Sequence, residues 1–324
     1  MTATVDGVLL IAFGGPTAPH EIRPFLAGVA RGRSIPQDRL EEVAHHYERM
    51  PGGRSPLNAL TFAQASALER ALANAGMPLP VRVGMRNWHP YLHETLADMA
   101  AAGIRRVLGV ILSPLRTEAS WERYMTDVAL ARERVAGAPD VIFAPPWSAH
   151  PRFLAAVADR LERARDAARP AAGAETPVVF TAHSVPVQMA ASSPYVADFT
   201  TAARAVAGRA GVARWSLAYQ SRSGGSREPW LEPDVNEVLR ALARAGEGEV
   251  VVVPLGFVAD HVEVLYDLDV EARETARVAG LTMHRAAAVN DHPEFIAALA
   301  DIVGGFAGAA AAAPPATAPH AQRP

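Results

Sequence analysis

Residues 250–271 read VVVVPLGFVADHVEVLYDLDVE, and they decide the fold because a buried strand leads directly into an acidic helix. The four valines have the length and branching of a short buried strand, which Pro254 ends. Beyond it, Glu263, Asp267 and Glu271 are spaced four residues apart, which places three carboxylates on one face of a predicted helix. Like charges at this spacing destabilise a helix by about 0.2–0.5 kcal/mol per pair. We therefore expect a positively charged ligand to bind at this acidic face.

A solvated acidic helix face is the alternative interpretation of the same pattern. The position of the acids favours a ligand, because ligands of open α/β sheets bind in the crevice beyond the carboxyl ends of the strands. The segment therefore indicates a binding site as well as a fold.

The composition excludes several classes of site. The chain has 324 residues, enough for about two domains. Its net charge of −3, from 31 basic and 34 acidic residues, implies no general surface for nucleic acid or another polyanion. It contains no cysteine, which excludes disulfides, thiolate zinc sites, cysteine nucleophiles and Cys-ligated iron–sulfur clusters. Any metal must therefore be bound by His, Asp, Glu or other oxygen donors.

The sequence predicts neither a membrane-spanning helix nor a signal peptide. No apolar run reaches the roughly 18–20 residues that a membrane-spanning helix needs. The first apolar run follows Asp6 and ends in Gly-Gly-Pro, which is typical of a first strand and not of a signal peptide. We expect a cytoplasmic protein.

Short apolar runs alternate with helical patterns along the chain, which is the pattern of βαβ units and a mostly parallel sheet. The predicted strands are Gly7–Phe13, Val81–Met85, Arg106–Leu112, Val141–Ala144, Val178–Ala182, Trp215–Tyr219, Val250–Pro254 and Leu281–His284. Helices are predicted between them, and a last helix covers His292–Phe306. The expected fold class is α/β, with two similar lobes of four strands each and a cleft between them.

We place the crossing between the lobes near Pro145–Pro151. This gives an N-terminal domain of residues 1–150 and a C-terminal domain of residues 151–306. Residues 307–324 are rich in Ala and Pro, and such a low-complexity composition predicts a disordered tail.

His183 stands at the carboxyl end of a predicted strand, in the sequence FTAHSVP. Taken alone, it is more typical of a structural histidine. A nucleophile pair with Ser184 is disfavoured, because adjacent residues do not easily face each other and no G-x-S-x-G motif is present. His183 and Glu263 both lie just past strand ends in the same half, so the predicted fold brings them to one cleft. A neutral imidazole opposite a carboxylate can bind a divalent metal or accept a proton from an N–H group.

Other motifs have simpler interpretations. The GGP sequence at residues 14–16 lacks the glycine spacing and the lysine of a phosphate loop. The Asp-His pair at residues 260–261 lacks the further ligands of an HD-type phosphohydrolase. Trp230 is expected to anchor a packed connection in the core. Arg31 and Arg33 flank a glycine and are either solvated or suited to bidentate recognition of a carboxylate.

Seven segments, taken in order, resemble the ferrochelatases. They are LLIAFGGP (residues 9–16), RGR (31–33), HYERMPGGRSPLN (46–58), GMRNWHPY (84–91), FTAHSVP (180–186), YQSRSGGSREPWLEPDV (219–235) and PLGFVADHVEVLYDLD (254–269). The resemblance extends from about Gly7 to Phe306. It implies two Rossmann-like lobes that hold a porphyrin in the cleft between them, and insertion of Fe²⁺ into that porphyrin in haem biosynthesis.

The resemblance also implies roles for individual residues. It makes His183 and Glu263 the catalytic pair that binds the metal, with His183 either accepting pyrrole protons or helping to deliver the ion. It makes Asp267 and Glu271 outer acids that bind or pass the metal. The porphyrin contacts of soluble bacterial members fall on Phe13, Arg31, Tyr47, Ser55 and Tyr124.

The chain departs from some family members in ways that affect these expectations. Some members carry a Tyr where this chain has Phe13, and that Tyr can ligate the product iron. Because Phe cannot, any axial ligand must come from elsewhere. Relatives with a [2Fe–2S] cluster hold it with cysteines, which are absent here. We expect no permanently bound cofactor, Fe²⁺ as a substrate, and a monomer.

The porphyrin is expected to be coproporphyrin III, with protoporphyrin IX next, because the resemblance is closest to the soluble proteins of Gram-positive type. Coproporphyrin III carries the larger number of propionates, and Arg31, Arg33, Arg54 and Ser55 could bind the additional ones. The alternatives are a chelatase for another metal and tetrapyrrole, such as sirohydrochlorin, and a non-catalytic porphyrin- or haem-binding protein of two lobes.

Overall fold

The computed structural model describes residues 4–31, 36–168, 175–223 and 228–307. In these ranges, parallel strands form two four-stranded sheets, with the orders β2-β1-β3-β4 and β6-β5-β7-β8. The strands are β1 (Gly7–Ala12), β2 (Val81–Met85), β3 (Arg106–Ile111), β4 (Asp140–Phe143), β5 (Val178–His183), β6 (Trp215–Gln220), β7 (Glu249–Val253) and β8 (Thr282–Arg285). The predicted α/β class with two four-stranded parallel sheets is confirmed.

Helices flank both sheets. For example, α3 and α4 pack against β2, and α6 packs against β7 and β8. The α-helices are α1 (Ile22–Ala30), α2 (Gln37–Glu48), α3 (Leu57–Asn74), α4 (Leu92–Ala101), α5 (Arg123–Glu133), α6 (Pro151–Ala167), α7 (Val187–Ala191), α8 (Tyr195–Arg209), α9 (Val235–Arg244), α10 (Val262–Val264), α11 (Arg273–Val278) and α12 (Pro293–Gly304). Short 3₁₀ turns cover Pro19–Glu21 and Pro51–Gly53, and π-helical segments cover Glu118–Glu122 and Leu265–Ala272.

The central strands are buried on both faces, which explains their sequences. All residues of β1 (GVLLIA) are buried, as are the four valines of β7. Near-continuous runs of branched apolar residues are typical of parallel strands that helices cover on both sides. Because β5, β6 and β7 are parallel, they end at the same edge of the second sheet, and the residues that follow them meet there.

Helix packing and an apolar cluster both help to join the lobes. The last helix, α12, packs against both α3 of the first half and α6 of the second. At the other contact, a buried apolar cluster joins Phe25 and Tyr47 of the first half to Val262 and Tyr266 of the acidic segment. The strands of the two sheets lie on either side of residue 150, but the domain boundary itself stays a prediction.

Some predictions concern residues that the structure does not describe. Arg33 lies outside the described residues, and so do residues 308–324 of the Ala- and Pro-rich tail. Among the helices in the described ranges, none is both long and apolar enough to cross a membrane.

Candidate active site

His183 is the last residue of β5 and lies opposite Gln220 of β6 in the register of the sheet. Its Nδ1 donates a hydrogen bond to the backbone carbonyl of Ser184. In the neutral imidazole, Nε2 therefore carries the lone pair. This Nε2 lies 3.9 Å from Oε1 of Glu263, so the two predicted catalytic side chains face each other.

Glu263 reaches this position because the loop after β7 lies against β5. A Cβ atom at Gly256 would lie 2.6 Å from Cβ of Ala182, so only glycine permits this close approach. The backbone N–H of Glu263 then donates to Nδ1 of His261, which caps the short helix α10 at 3.2 Å. Gln220 fixes the other side of the turn, because its Nε2 donates to the backbone carbonyl of Glu263 at 2.9 Å.

A cleft between the lobes opens beside His183 and Glu263, and its lining comes from both halves of the chain. Among the predicted porphyrin contacts, Phe13, Tyr47, Ser55 and Tyr124 line it. Arg31 does not belong to the described lining and lies exposed at the end of α1. The structure therefore brings the predicted porphyrin contacts to the predicted catalytic pair, apart from Arg31.

The cleft wall is aromatic on the side of the first lobe. The ring of Phe25 packs edge-on against Phe13 at 6.3 Å and against Tyr47 at 5.8 Å between centroids. The guanidinium of Arg86 lies over the ring of Tyr124 at 4.9 Å. Burial raises the pKa of Tyr124 to about 12, so its hydroxyl stays un-ionised and can donate and accept hydrogen bonds. Such a wall is suited to the face of a flat apolar ring.

A second, polar cavity begins where the first ends. Glu263 and Tyr47 line both cavities, and Asp267 and Glu271 line the second one only. The three predicted metal-binding carboxylates thus line one polar cavity, which meets the aromatic cleft at Glu263, and we call them the carboxylate array. The described residues include no group of three or more His, Asp or Glu that could hold a metal ion by itself.

The carboxylates of the array are electrostatically coupled. Burial, together with the charges of Glu263 and Glu271, raises the pKa of Asp267 to about 8, against the hydrogen bond that Ser221 donates to it. Burial, followed by the charge of Asp234, also raises the pKa of Glu271. Without a cation the array therefore holds a proton near neutral pH, and an incoming divalent ion would displace it.

The helix that carries the array differs from the sequence prediction. An ordinary α-helix was expected, but Leu265–Ala272 form a π-helix, in which hydrogen bonds run from i to i+5. Each π-turn contains more residues than an α-turn, so a spacing of four residues still nearly completes one turn. For this reason Asp267 and Glu271 line the same cavity as Glu263.

Sequence reasoning missed several polar residues of the site. Gln220 and Ser221 lie in the segment that was interpreted only as a packed connection, whose Trp230 is indeed buried. Tyr195, which lines the cleft, donates its hydroxyl to the carbonyl of His183 at 2.8 Å. The available signal was the position of Gln220 at the end of a strand next to β5, whereas nothing local marks Tyr195 on its helix.

Comparison with known proteins shows the family of the chain. The sequence model of the family described as Ferrochelatase matches residues 5–305. Over 302 residues, the chain is 44% identical to the coproporphyrin III ferrochelatase of Mycobacterium avium, covering 92% of this chain and 87% of that protein. It is 40% identical over 300 residues to a ferrochelatase of Rhodopirellula baltica, covering 92% of this chain and 85% of that protein.

Solved structures show the same fold at low sequence identity. CbiX, described as the terminal enzyme of sirohaem biosynthesis in denitrifying bacteria, superposes with a TM-score of 0.55 at 16% identity, over 92% of this chain and 98% of that chain. The sirohydrochlorin chelatase SirB of Bacillus subtilis, in complex with cobalt, gives a TM-score of 0.55 at 15% identity, over 93% and 94% of the two chains. The fold is thus that of the chelatases, and the sequence match over nearly the whole chain is to one group of them: this chain belongs to the ferrochelatase family.

Proposed function

We propose that the protein inserts Fe²⁺ into coproporphyrin III in haem biosynthesis, with His183 and Glu263 at the centre of the reaction. The observation that carries this proposal is the placement of the pair. Nε2 of His183 faces the Glu263 carboxylate at 3.9 Å, where an apolar cleft suited to a porphyrin meets a carboxylate array suited to a cation.

The array supplies the path for iron. The second cavity offers the carboxylate oxygens of Glu271, Asp267 and Glu263. Such oxygen ligands can replace the water molecules bound to Fe²⁺ one after another. Glu263 is shared by the two cavities, so an ion that it binds lies at the edge of the porphyrin cleft. A cation held there by Glu263 keeps coordination positions open for water and for pyrrole nitrogens, and leaves Nε2 of His183 free.

His183 is the proposed proton acceptor. Insertion exchanges Fe²⁺ for two pyrrole protons without any change of oxidation state, so the site needs a proton acceptor and no redox partner. Nε2 has the lone pair for this, since Nδ1 donates to the Ser184 carbonyl. We assign to Nε2 the role of taking each pyrrole proton and releasing it to solvent.

The choice of coproporphyrin III rests on the named relatives and on the cleft. The relatives from Mycobacterium avium and Mycolicibacterium smegmatis, 44% and 41% identical, are both named coproporphyrin III ferrochelatases. The cleft offers the hydroxyl groups of Ser55 and Tyr124, and Arg31 and Arg54 are exposed in the same half of the chain. These donors can bind propionates at several points of the ring.

We further infer that the protein acts as a monomer in the cytoplasm. Both cavities and the catalytic pair are built from one chain, so the site needs no residue of a second copy. Light scattering of the purified protein and fractionation of cells test these two statements.

The test of the function is an anaerobic insertion assay. Fe²⁺ is mixed with the protein and, separately, with coproporphyrin III, protoporphyrin IX or sirohydrochlorin, and the loss of the free-porphyrin spectrum is followed. We expect coproporphyrin III to react fastest. Faster reaction of protoporphyrin IX or sirohydrochlorin would replace the proposed substrate, and binding without insertion would indicate a non-catalytic binding protein.

The assignment of His183 is tested in the same assay. His183→Ala should lower the insertion rate by about 10²–10⁴-fold, because a general base is lost, while the circular dichroism spectrum and porphyrin binding persist. His45→Ala is the matched control, since His45 is exposed on α2 and pairs only with the surface residue Glu48 in the described chain. Near-wild-type insertion by His183→Ala would overturn the assignment.

A further inference from the structure

Arg285, at the end of β8, connects two carboxylates that belong to neither cavity. Its Nε donates to Oδ1 of Asp269 at 2.7 Å, and its Nη1 donates to Oδ1 of Asp260 at 2.7 Å. All three side chains are largely buried, with 13% of the Arg285 side chain, 15% of Asp260 and 27% of Asp269 exposed. Buried charge-assisted hydrogen bonds of this kind fix geometry, and a guanidinium can make two of them at once.

The two carboxylates flank the metal-binding part of the chain. Asp260 precedes Glu263 in the loop after β7, and Asp269 lies between Asp267 and Glu271 on the π-helix. Arg285 therefore holds both ends of the segment that carries Glu263 and Asp267.

The loop end of this clamp is further fixed by Asn290. The Asn290 side chain donates to Oδ2 of Asp260 at 2.8 Å and accepts from the backbone N–H of Asp260 at 2.9 Å. Its backbone N–H donates to the carbonyl of Val258 at 3.0 Å. The loop before Glu263 thus has little freedom to shift relative to β8.

The array itself gives a reason for a clamp. Glu263, Asp267 and Glu271 repel one another when ionised, and the repulsion is strong in a partly buried cavity. Without a restraint, the wide turns of a π-helix could relax toward an α-helix or splay, and either change would alter the spacing of the carboxylates. The guanidinium of Arg285, which pairs with Asp269 of the π-helix, counteracts both changes.

We propose that Arg285, together with Asp269, is a positioning element for the carboxylate array, which sets its spacing for Fe²⁺ without touching the ion. This deepens the proposed function and rests on it. The Asp269 end of the clamp acts on metal capture, because Asp269 lies on the π-helix between Asp267 and Glu271 and does not belong to the described lining of the porphyrin cleft.

The test uses Asp269→Asn, which keeps the shape of the side chain and removes its charge, and Arg285→Lys, whose single ammonium cannot bridge two carboxylates. In anaerobic insertion assays we expect the apparent KM for Fe²⁺ to rise by about ten-fold in each variant. The kcat at saturating Fe²⁺ and the Kd for coproporphyrin III should stay at the wild-type values. A general loss of structure would not weaken Fe²⁺ capture while leaving coproporphyrin III binding unchanged.

Arg273→Gln is the matched control. Arg273 pairs with the same Asp269 oxygen at 3.2 Å, but its side chain is 53% exposed, so its removal should leave the KM for Fe²⁺ unchanged. A wild-type KM for Fe²⁺ in folded Asp269→Asn and Arg285→Lys would overturn the proposal. Parallel losses of iron and porphyrin affinity, or failure of both variants to fold, would also overturn it by showing a role in overall structure.

Direct binding separates this proposal from the proposed function. Fe²⁺ is titrated calorimetrically into porphyrin-free wild type and variants under anaerobic conditions, and Asp269→Asn and Arg285→Lys should bind about ten-fold more weakly. If the wild type inserts no iron into any porphyrin, the proposed function fails, while this titration still tests the clamp. If the wild type inserts iron and the variants bind Fe²⁺ normally, only the clamp fails.

Discussion

At the scale of single residues, burial of Asp267 in the predicted metal site lowers the stability of the folded protein. Burial raises its pKa to about 8, so the folded protein holds a proton that the unfolded chain releases well below neutral pH. Between those two pKa values the unfolded state binds fewer protons, and the free energy of unfolding falls as pH rises. Asp267→Asn should therefore be more stable than the wild type at pH 8, by on the order of 1–3 kcal/mol, with a difference that shrinks toward acid pH.

Denaturant unfolding of metal-free protein at several pH values measures this difference, and the same variant should insert iron more slowly. Glu274→Gln is the control, because Glu274 lies exposed on α11 and its pKa is lowered by its bond to Arg277. Its replacement should not stabilise the protein at any pH. An Asp267→Asn protein that is less stable than the wild type at pH 8 would contradict the argument.

At the scale of elements, the close approach of β5 and the loop after β7 sets the distance between His183 and Glu263. Gly256→Ala would place a Cβ within 2.6 Å of Ala182 Cβ, so the loop must move away from the strand. We expect a loss of stability of about 1–3 kcal/mol and a fall in the insertion rate, measured by denaturant unfolding and by the anaerobic assay. Gly248→Ala, where the added Cβ meets nothing within 4 Å, should change neither. Full activity of Gly256→Ala would show that the pair tolerates a shifted loop.

The same elements show what the sequence could and could not predict. Val250–Val253 and the regular spacing of Glu263, Asp267 and Glu271 were readable because they depend on periods of a few residues. The π-helix was not, since it differs from an α-helix only in hydrogen-bond register, and the restraint on Asp269 comes from a strand that follows later in the chain. The exposed position of Arg31 was equally unreadable, because nothing in its own sequence says where α1 ends relative to the cleft.

At the scale of the whole molecule, the cleft depends on how the two lobes are held together. Gln64 of α3 is fully buried and donates its Nε2 to the carbonyls of Val258, at 3.1 Å, and Asn290, at 2.9 Å, both in the second half of the chain. Val258 lines the porphyrin cleft, so this bond ties the first lobe to the cleft wall of the second. Gln64→Leu leaves the Asn290 carbonyl without this donor, at a cost of about 1–3 kcal/mol.

Because the tie spans the lobes, Gln64→Leu should weaken coproporphyrin III binding as well as the fold. Fe²⁺ binding should persist, because the proposed ligands Glu263, Asp267 and Glu271 all lie in the second half of the chain. Porphyrin fluorescence titration, Fe²⁺ calorimetry and denaturant unfolding measure the three quantities on the same preparation. Gln37→Leu, at an exposed position of α2, serves as the control and should alter none of them. A destabilised Gln64→Leu protein with wild-type porphyrin affinity would mean that the lobes keep their relative position without this tie, and that α12 and the cluster around Phe25 and Tyr266 suffice.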